Sequence, residues 1–405
     1  MDFKPTEEQT MVRDLARGIL SKEIDVDRVK AIEAGDSWLD ERLWSTLADA
    51  GLLGIAVGEE YGGMGLGLLE LCVLLEEIGR VVAPVPAMPS LVLGGMTIAE
   101  HGTEAQKRRW LTPLVSGETL LTAAIDGRDA TRSVNARREG NGWSLAGTTR
   151  LVPGADRAAT ILVPASVDGA VAIFLVDPRA GGVRVTRNAS SRGEALCDIE
   201  LTSVHLSEDD LLGGRLPVAP EALDAIRDRA TVATCALQVG VSSRALELTS
   251  AYVRERVQFG VPIGSFQAVQ HRLADAYIDV EAMRWVMWRA AWKLAHGLDA
   301  TRAVAVAKFW AADAGARVAA SAQHLHGGIG VDVDYPVHRY FLWSKALELG
   351  FGNATEQLVR LGRDMATRAP SAHSPLAGSR LTSALRAPEL RAEIRPDPTS
   401  TTARK

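Results

Sequence analysis

Arg254-Glu255-Arg256-Val257-Gln258-Phe259-Gly260-Val261-Pro262-Ile263-Gly264-Ser265-Phe266-Gln267-Ala268-Val269-Gln270-His271 joins two segments, 221–256 and 266–296, that read as helices. Segments of that length suggest a helical bundle. The joint between them concentrates chemistry. Arg256 carries a planar, permanently charged fork suited to phosphate oxygens. Phe259 offers a flat apolar ring, and Gln258 and Gln267 offer amides.

Working outward, the pattern changes twice. Residues 6–118 read as helical: Met11, Leu15 and Ile19 recur at helical spacing, as do Leu68, Leu71, Leu74, Leu75 and Ile78. Gly62-Gly63 and the pair Pro84 and Pro86 punctuate this region. From about 119 to 214 the runs become short and β-like, as in Trp143-Ser144-Leu145-Ala146-Gly147 and Val171-Ala172-Ile173-Phe174-Leu175-Val176. Turn signals at Gly140-Asn141-Gly142, Asp168-Gly169 and Gly181-Gly182 separate them. From about 220 the chain is helical again. The expected class is α+β multidomain: an N-terminal helical domain (1–118), a middle β-barrel or sandwich domain (119–215) and a C-terminal four-helix bundle (216–370). The Pro-, Ser-, Thr- and Arg-rich tail at 371–405 is expected to be mostly disordered, with one short helical stretch near 381–390. Trp285, Trp288 and Trp292, at i, i+3 and i+7, read as a core or subunit-interface stripe rather than an aromatic ligand cage.

Composition narrows the classes. A length of 405 residues supports a large core, and 47% hydrophobic with 23% charged residues is the balance of a soluble globular chain. The net charge of -5 argues against a general nucleic-acid binder. Cys72, Cys197 and Cys235 show no metal-type spacing, so neither a metal site nor a disulfide framework is expected, and a reduced cytoplasm fits best. Met1-Asp2-Phe3-Lys4-Pro5-Thr6-Glu7-Glu8 lacks a signal-peptide apolar run, and no stretch reaches membrane-spanning length.

Three motifs together carry a resemblance. The first is Arg256–Gln270. The second is Glu59-Glu60-Tyr61-Gly62-Gly63-Met64-Gly65 followed by Glu76-Glu77-Ile78-Gly79-Arg80. The third is His324-Leu325-His326-Gly327-Gly328-Ile329-Gly330 followed by Tyr335-Pro336-Val337-His338-Arg339. In this order, with a β segment between helical ones, the chain resembles the acyl-CoA dehydrogenases over roughly 1–370. The resemblance implies FAD as cofactor, an acyl-CoA thioester as substrate and an electron-transfer flavoprotein as acceptor. It implies that Arg256, Gln258, Phe259, Gln267, Gln323 or His324, Gly327 and Gly328 contact a flavin held mainly by a neighbouring subunit. A glycine lacks Cβ, so the backbone at Gly327 and Gly328 can approach diphosphate oxygens.

The chain departs from the family where the chemistry should be. The reaction needs a carboxylate to take an α-proton. Family members place a Glu at one of two points, and here these fall on Ala230 and near Gly352. Asp228, Glu348 and Glu356 are the nearest carboxylates. The segment that resembles the family's own-flavin loop is Thr122-Ala123-Ala124-Ile125-Asp126-Gly127-Arg128-Asp129, without its Glu-Pro and Ser. Leu145-Ala146-Gly147-Thr148-Thr149 lacks the usual Lys. Residues for a neighbour's flavin are present, and those for the chain's own flavin and base are missing. That sorting is similar to the base-lacking chains of actinobacterial α2β2 acyl-CoA dehydrogenases acting on steroid CoA esters, which implies a homologous catalytic partner subunit and no catalytic residue in this chain. The competing readings are a complete homo-oligomeric dehydrogenase with a displaced base, a flavin-dependent monooxygenase on the same fold, and a binding module without flavin.

Overall fold

The computed structural model describes residues 4–35, 37–125, 133–214 and 220–367. Residues up to Val359 form one compact unit, and Arg360–Lys405 form a second, of which the described part is the end of a helix. Asp126–Asp129 and the 371–405 tail lie outside the described residues.

The N-terminal helices start where the sequence supplies caps. Helix α1 (Glu7–Glu23) opens on a reciprocal capping box: the Gln9 amide N–H donates to Thr6 Oγ1 and the Thr6 N–H to Gln9 Oε1, both at 3.2 Å. Its buried face is Val12, Ala16 and Leu20. Met11, Leu15 and Ile19, whose spacing predicted the helix, lie one position off this face, with Met11 52% and Leu15 38% exposed. Both sets have helical spacing, so periodicity alone did not decide which faced the core. Helices α2 (Val26–Glu33) and α3 (Glu41–Asp49) precede the apolar α4 (Leu68–Val81). A π-helical stretch (Met88–Met96), α5 (Thr97–His101) and α6 (Glu104–Val115) complete this part.

The middle segment is one seven-stranded mixed sheet. Its strands are β1 (Leu121–Ala123), β2 (Val134–Glu139), β3 (Gly142–Pro153), β4 (Thr160–Val167), β5 (Ala170–Val176), β6 (Val183–Asn188) and β7 (Leu196–Ser207). The order is β1-β4-β2-β3-β7-β6, with β5 antiparallel on β4 and β1 parallel to it. Bulges break the β3–β7 register between Leu145 and Gly147 and between Thr149 and Val152, which bends the long strands.

The C-terminal helices are α7 (Pro220–Glu255), α8 (Gln267–Ala295), α9 (Thr301–His326), α10 (Val337–Leu349) and α11 (Ala354–Thr367). Helices α4 and α7 touch backbone to backbone. A Cβ on Gly240 would lie 2.0 Å from the Glu76 carbonyl oxygen, and one on Gly79 would lie 2.3 Å from that of Leu237. Neither oxygen can rotate away, so Gly240→Ala should destabilise the fold by about 1–3 kcal/mol. Denaturant unfolding of the variant checks this; an unchanged midpoint would mean the two helices are free to separate. Among the described residues no helix is long and apolar enough to cross a membrane. The three cysteines are free and buried, and burial pushes the Cys235 thiol up to about 12 and Cys197 up to about 11.

Candidate functional site: an outward-facing cofactor edge

Helix α7 ends where a tight hairpin begins. Val257–Gln258 pairs antiparallel with Val261–Pro262, and the turn between them is Phe259-Gly260, both with positive φ (54° and 80°). Two left-handed residues make the turn that fits strand twist, but a phenylalanine there carries backbone strain. The strained residue holds its ring in solvent: Phe259 is 93% exposed and meets the Phe266 ring edge-on at 6.2 Å. Strain held at an exposed aromatic ring is a mark of function rather than of packing.

Arg256 sits at the base of this hairpin. Its backbone is fixed on both sides, its N–H donating to the Tyr252 carbonyl at 2.9 Å and its carbonyl accepting from Ile263 N–H at 2.8 Å. Its guanidinium is exposed and has no partner among the described residues. The hairpin leads into α8, whose N-cap, Phe266, makes no side-chain cap. The exposed Gln267 is therefore the first residue of a 29-residue helix whose opening amides remain available. Gln258 is exposed, and its amide nitrogen donates to the Val257 carbonyl at 2.7 Å.

The glycine pair lies at the end of α9. Gly327 has φ 62° and ψ −138°, a conformation reserved for glycine, and a Cβ on it or on Gly328 would meet nothing within 4 Å. Both are exposed, so the open space lies outside the chain. An aromatic stack ties this turn to Arg256. The Tyr252 ring, one turn before Arg256, stacks on His326 at 4.5 Å, and Tyr335 closes the cluster at 5.3 Å from His326. Burial pushes the His326 imidazole below its usual range, and its Nδ1 faces the Ala322 carbonyl at 2.8 Å. Sequence reasoning chose the exposed His324 over His326 and did not single out Tyr252; the spacing of His326 from Tyr335 inside a motif already singled out was the available signal. Gln323 turns inward: its amide nitrogen is buried, unpartnered and within 2.9 Å of a Cβ placed on Gly330.

At the two points where the resemblance expects a base stand Ala230 and Gly352. Ala230 is fully buried on α7. Gly352 has φ 93°, and a Cβ there would lie 2.7 Å from Glu356 Oε2 and 2.9 Å from Gln357 Nε2. The Glu356 carboxylate thus folds back over Gly352, closer than its separation in sequence implies. The surrounding turn is pinned. Fully buried Lys308 donates to the Leu347 and Glu348 carbonyls at 2.9 and 3.0 Å, and Gln357 Nε2 donates to the Phe351 carbonyl at 3.1 Å. Glu348 is taken by Lys345, and Asp228 is only 8% exposed. On the sheet, the Thr122 hydroxyl is buried and donates to the Pro153 carbonyl at 2.7 Å, so it is committed within the chain.

A cation without a partner, two free helix amides, an exposed ring and a glycine turn with open space beyond it fit a diphosphate cofactor that approaches from outside. Two family models match the chain: the acyl-CoA dehydrogenase N-terminal domain over residues 6–118 and the C-terminal domain over residues 222–366. The chain is 38% identical to acyl-CoA dehydrogenase FadE27 of Mycobacterium tuberculosis, over 90% of its own length and 99% of that protein. Among solved structures it is similar to the ChsE4-ChsE5 complex from Mycobacterium tuberculosis, with a TM-score of 0.87 and 38% identity over 91% of this chain and 100% of that one. It also resembles the Tcur3481-Tcur3483 steroid ACAD, with a TM-score of 0.83 and 45% identity over 89% and 98% of the two chains. The chain belongs to the acyl-CoA dehydrogenase family and has its fold. It is an FAD-dependent oxidoreductase of that family.

Proposed function

We propose that this chain is the base-lacking subunit of a heteromeric acyl-CoA dehydrogenase, of the α2β2 kind, and that it supplies the cross-subunit half of an FAD site held by a homologous catalytic partner. Two relatives are described as two-component assemblies, one of them a steroid ACAD, and a steroid-derived CoA ester is the substrate class that this reading adopts. An electron-transfer flavoprotein is its acceptor. The observation that carries the reading is the direction of the site: Arg256, Phe259, Gln267, Gly327 and Gly328 all face out of the chain, while Ala230 and Gly352 leave no carboxylate at either base position.

FAD, when bound, accepts the β-hydride of the thioester. Arg256 neutralises diphosphate charge, and the α8 amides beside Gln267 add donors to the same oxygens. Gly327 and Gly328 allow backbone approach, and Phe259 covers an apolar ring of the cofactor and excludes water. Proton removal belongs to the partner's carboxylate. Losing a charge-assisted contact costs about 1.5–3 kcal/mol. Arg256→Ala should therefore lower FAD retention by the assembled complex by roughly tenfold or more, read as released flavin on dilution. Unchanged retention would make Arg256 an ordinary surface charge.

One observation favours a second reading. Glu356 Oε2 lies within 2.7 Å of a Cβ placed on Gly352, so Glu356 is a candidate displaced base in a complete homo-oligomeric enzyme.

A further inference from the structure

Three aromatic rings meet behind the cofactor edge, each from a different segment. Tyr252 belongs to the last turns of α7, His326 closes α9, and Tyr335 precedes α10. The ring centroids lie 4.5 Å apart for Tyr252 and His326, 5.3 Å for His326 and Tyr335, and 6.4 Å for Tyr252 and Tyr335. All three separations fall within the range of favourable ring contact. Two parts of the candidate site hang on this triangle. The Tyr252 carbonyl accepts the Arg256 N–H, so the hairpin starts one turn from the Tyr252 ring. His326 is the residue before Gly327, so its placement sets where the glycine turn begins.

The imidazole is held in one form. A carbonyl oxygen only accepts, so Nδ1, 2.8 Å from the Ala322 oxygen, carries the proton. Nε2 is then a bare acceptor, buried and without a partner among the described residues, in a side chain only 3% exposed. A second proton would put a charged donor into the same closed space with nothing to accept from it. The groups around it offer no compensation. The phenols of Tyr252 and Tyr335 face it, Glu255 of α7 acts on Tyr335, and His338 of α10 turns its Nδ1 to the Tyr335 carbonyl at 2.7 Å. His324, on the same helix, is exposed. No carboxylate pairs with His326 among the described residues.

We infer that His326 is a positioning residue, whose neutral ring locks the Arg256 hairpin to the Gly327-Gly328 turn and whose protonation releases the two from each other. The part of this that concerns FAD rests on the flavin reading above. The sign follows from burial. Released, the imidazole takes protons at its ordinary value near 6.5; in the stack, burial holds it below that, against the weaker pull of the Ala322 contact. The lock is therefore complete above about pH 6.5 and weakens as the pH falls below it.

The test begins with the full-length chain alone and needs no flavin. Hydrogen exchange, corrected for its intrinsic pH dependence, reads the amides of Arg256 and Ile263 in the first element and of Asp332 and Tyr335 in the second, all hydrogen-bonded to backbone. From about pH 7.5 to about pH 5.5 their protection should fall together, by about threefold to tenfold. His326→Phe keeps a stacked ring that cannot take a proton, so it should abolish the fall. In the assembled complex, FAD retention should drop over the same range and become flat in His326→Phe. Constant protection, or a loss confined to one of the two elements, overturns the inference on the unmodified chain. An equal loss in His326→Phe overturns it too. So does FAD retention that ignores pH: if Arg256→Ala still releases flavin, the flavin reading stands without this inference, and if it does not, both fall.

Discussion

Glu356→Gln in this chain should leave turnover of the assembled dehydrogenase within about threefold, while Gln at the partner's base glutamate should lower it by about 10²–10⁴, the contribution of a general base. The contrast follows from Gly352. Its positive φ strains any side chain placed there, with the Glu356 and Gln357 side-chain ends beside it, and Ala230 offers only a methyl group inside the core. Glu356 has its carboxylate folded over that turn, so its removal separates the two readings. Steady-state rates with FAD content measured on the same samples decide the matter. If Glu356→Gln abolished dehydrogenation while FAD stayed bound, this chain would be catalytic in its own right, and the displaced-base reading would replace the heteromeric one.

The assembled complex should carry about one FAD per two chains, and this chain expressed alone should retain little. The groups proposed to meet the diphosphate face outward, and the Thr122 hydroxyl already donates to the Pro153 carbonyl. Absorbance of flavin against protein, on the chain alone and co-expressed with a homologous dehydrogenase, measures the ratio. A yellow homo-oligomer with one FAD per chain would refute it.

Sequence by itself determined the class. Helical, then β, then helical patterning follows from side-chain period, and the Arg256–Gln270 joint with its glycine turn downstream carries family membership, because those residues are chemistry bound to short, local stretches. The resemblance also puts Ala230 and Gly352 where a base is expected, and the proposed function rests on that reading. What only the tertiary structure decided were matters of direction and partner. Period chose helices but not faces: Val12, Ala16 and Leu20 are buried, while Met11 and Leu15, at the same spacing, are exposed. A tryptophan stripe has the same spacing whether it meets core or groove, and only the placement of α4 opposite it left a cavity. Tyr252 stacks on His326 because α7 and α9 bring together residues far apart in the chain. Glu356 returns to Gly352 through a left-handed turn at Phe351 and Gly352 that a straight helical count does not contain. Local patterns report what a residue is and which period it follows; which neighbour it meets depends on long-range packing, which no short window of sequence encodes.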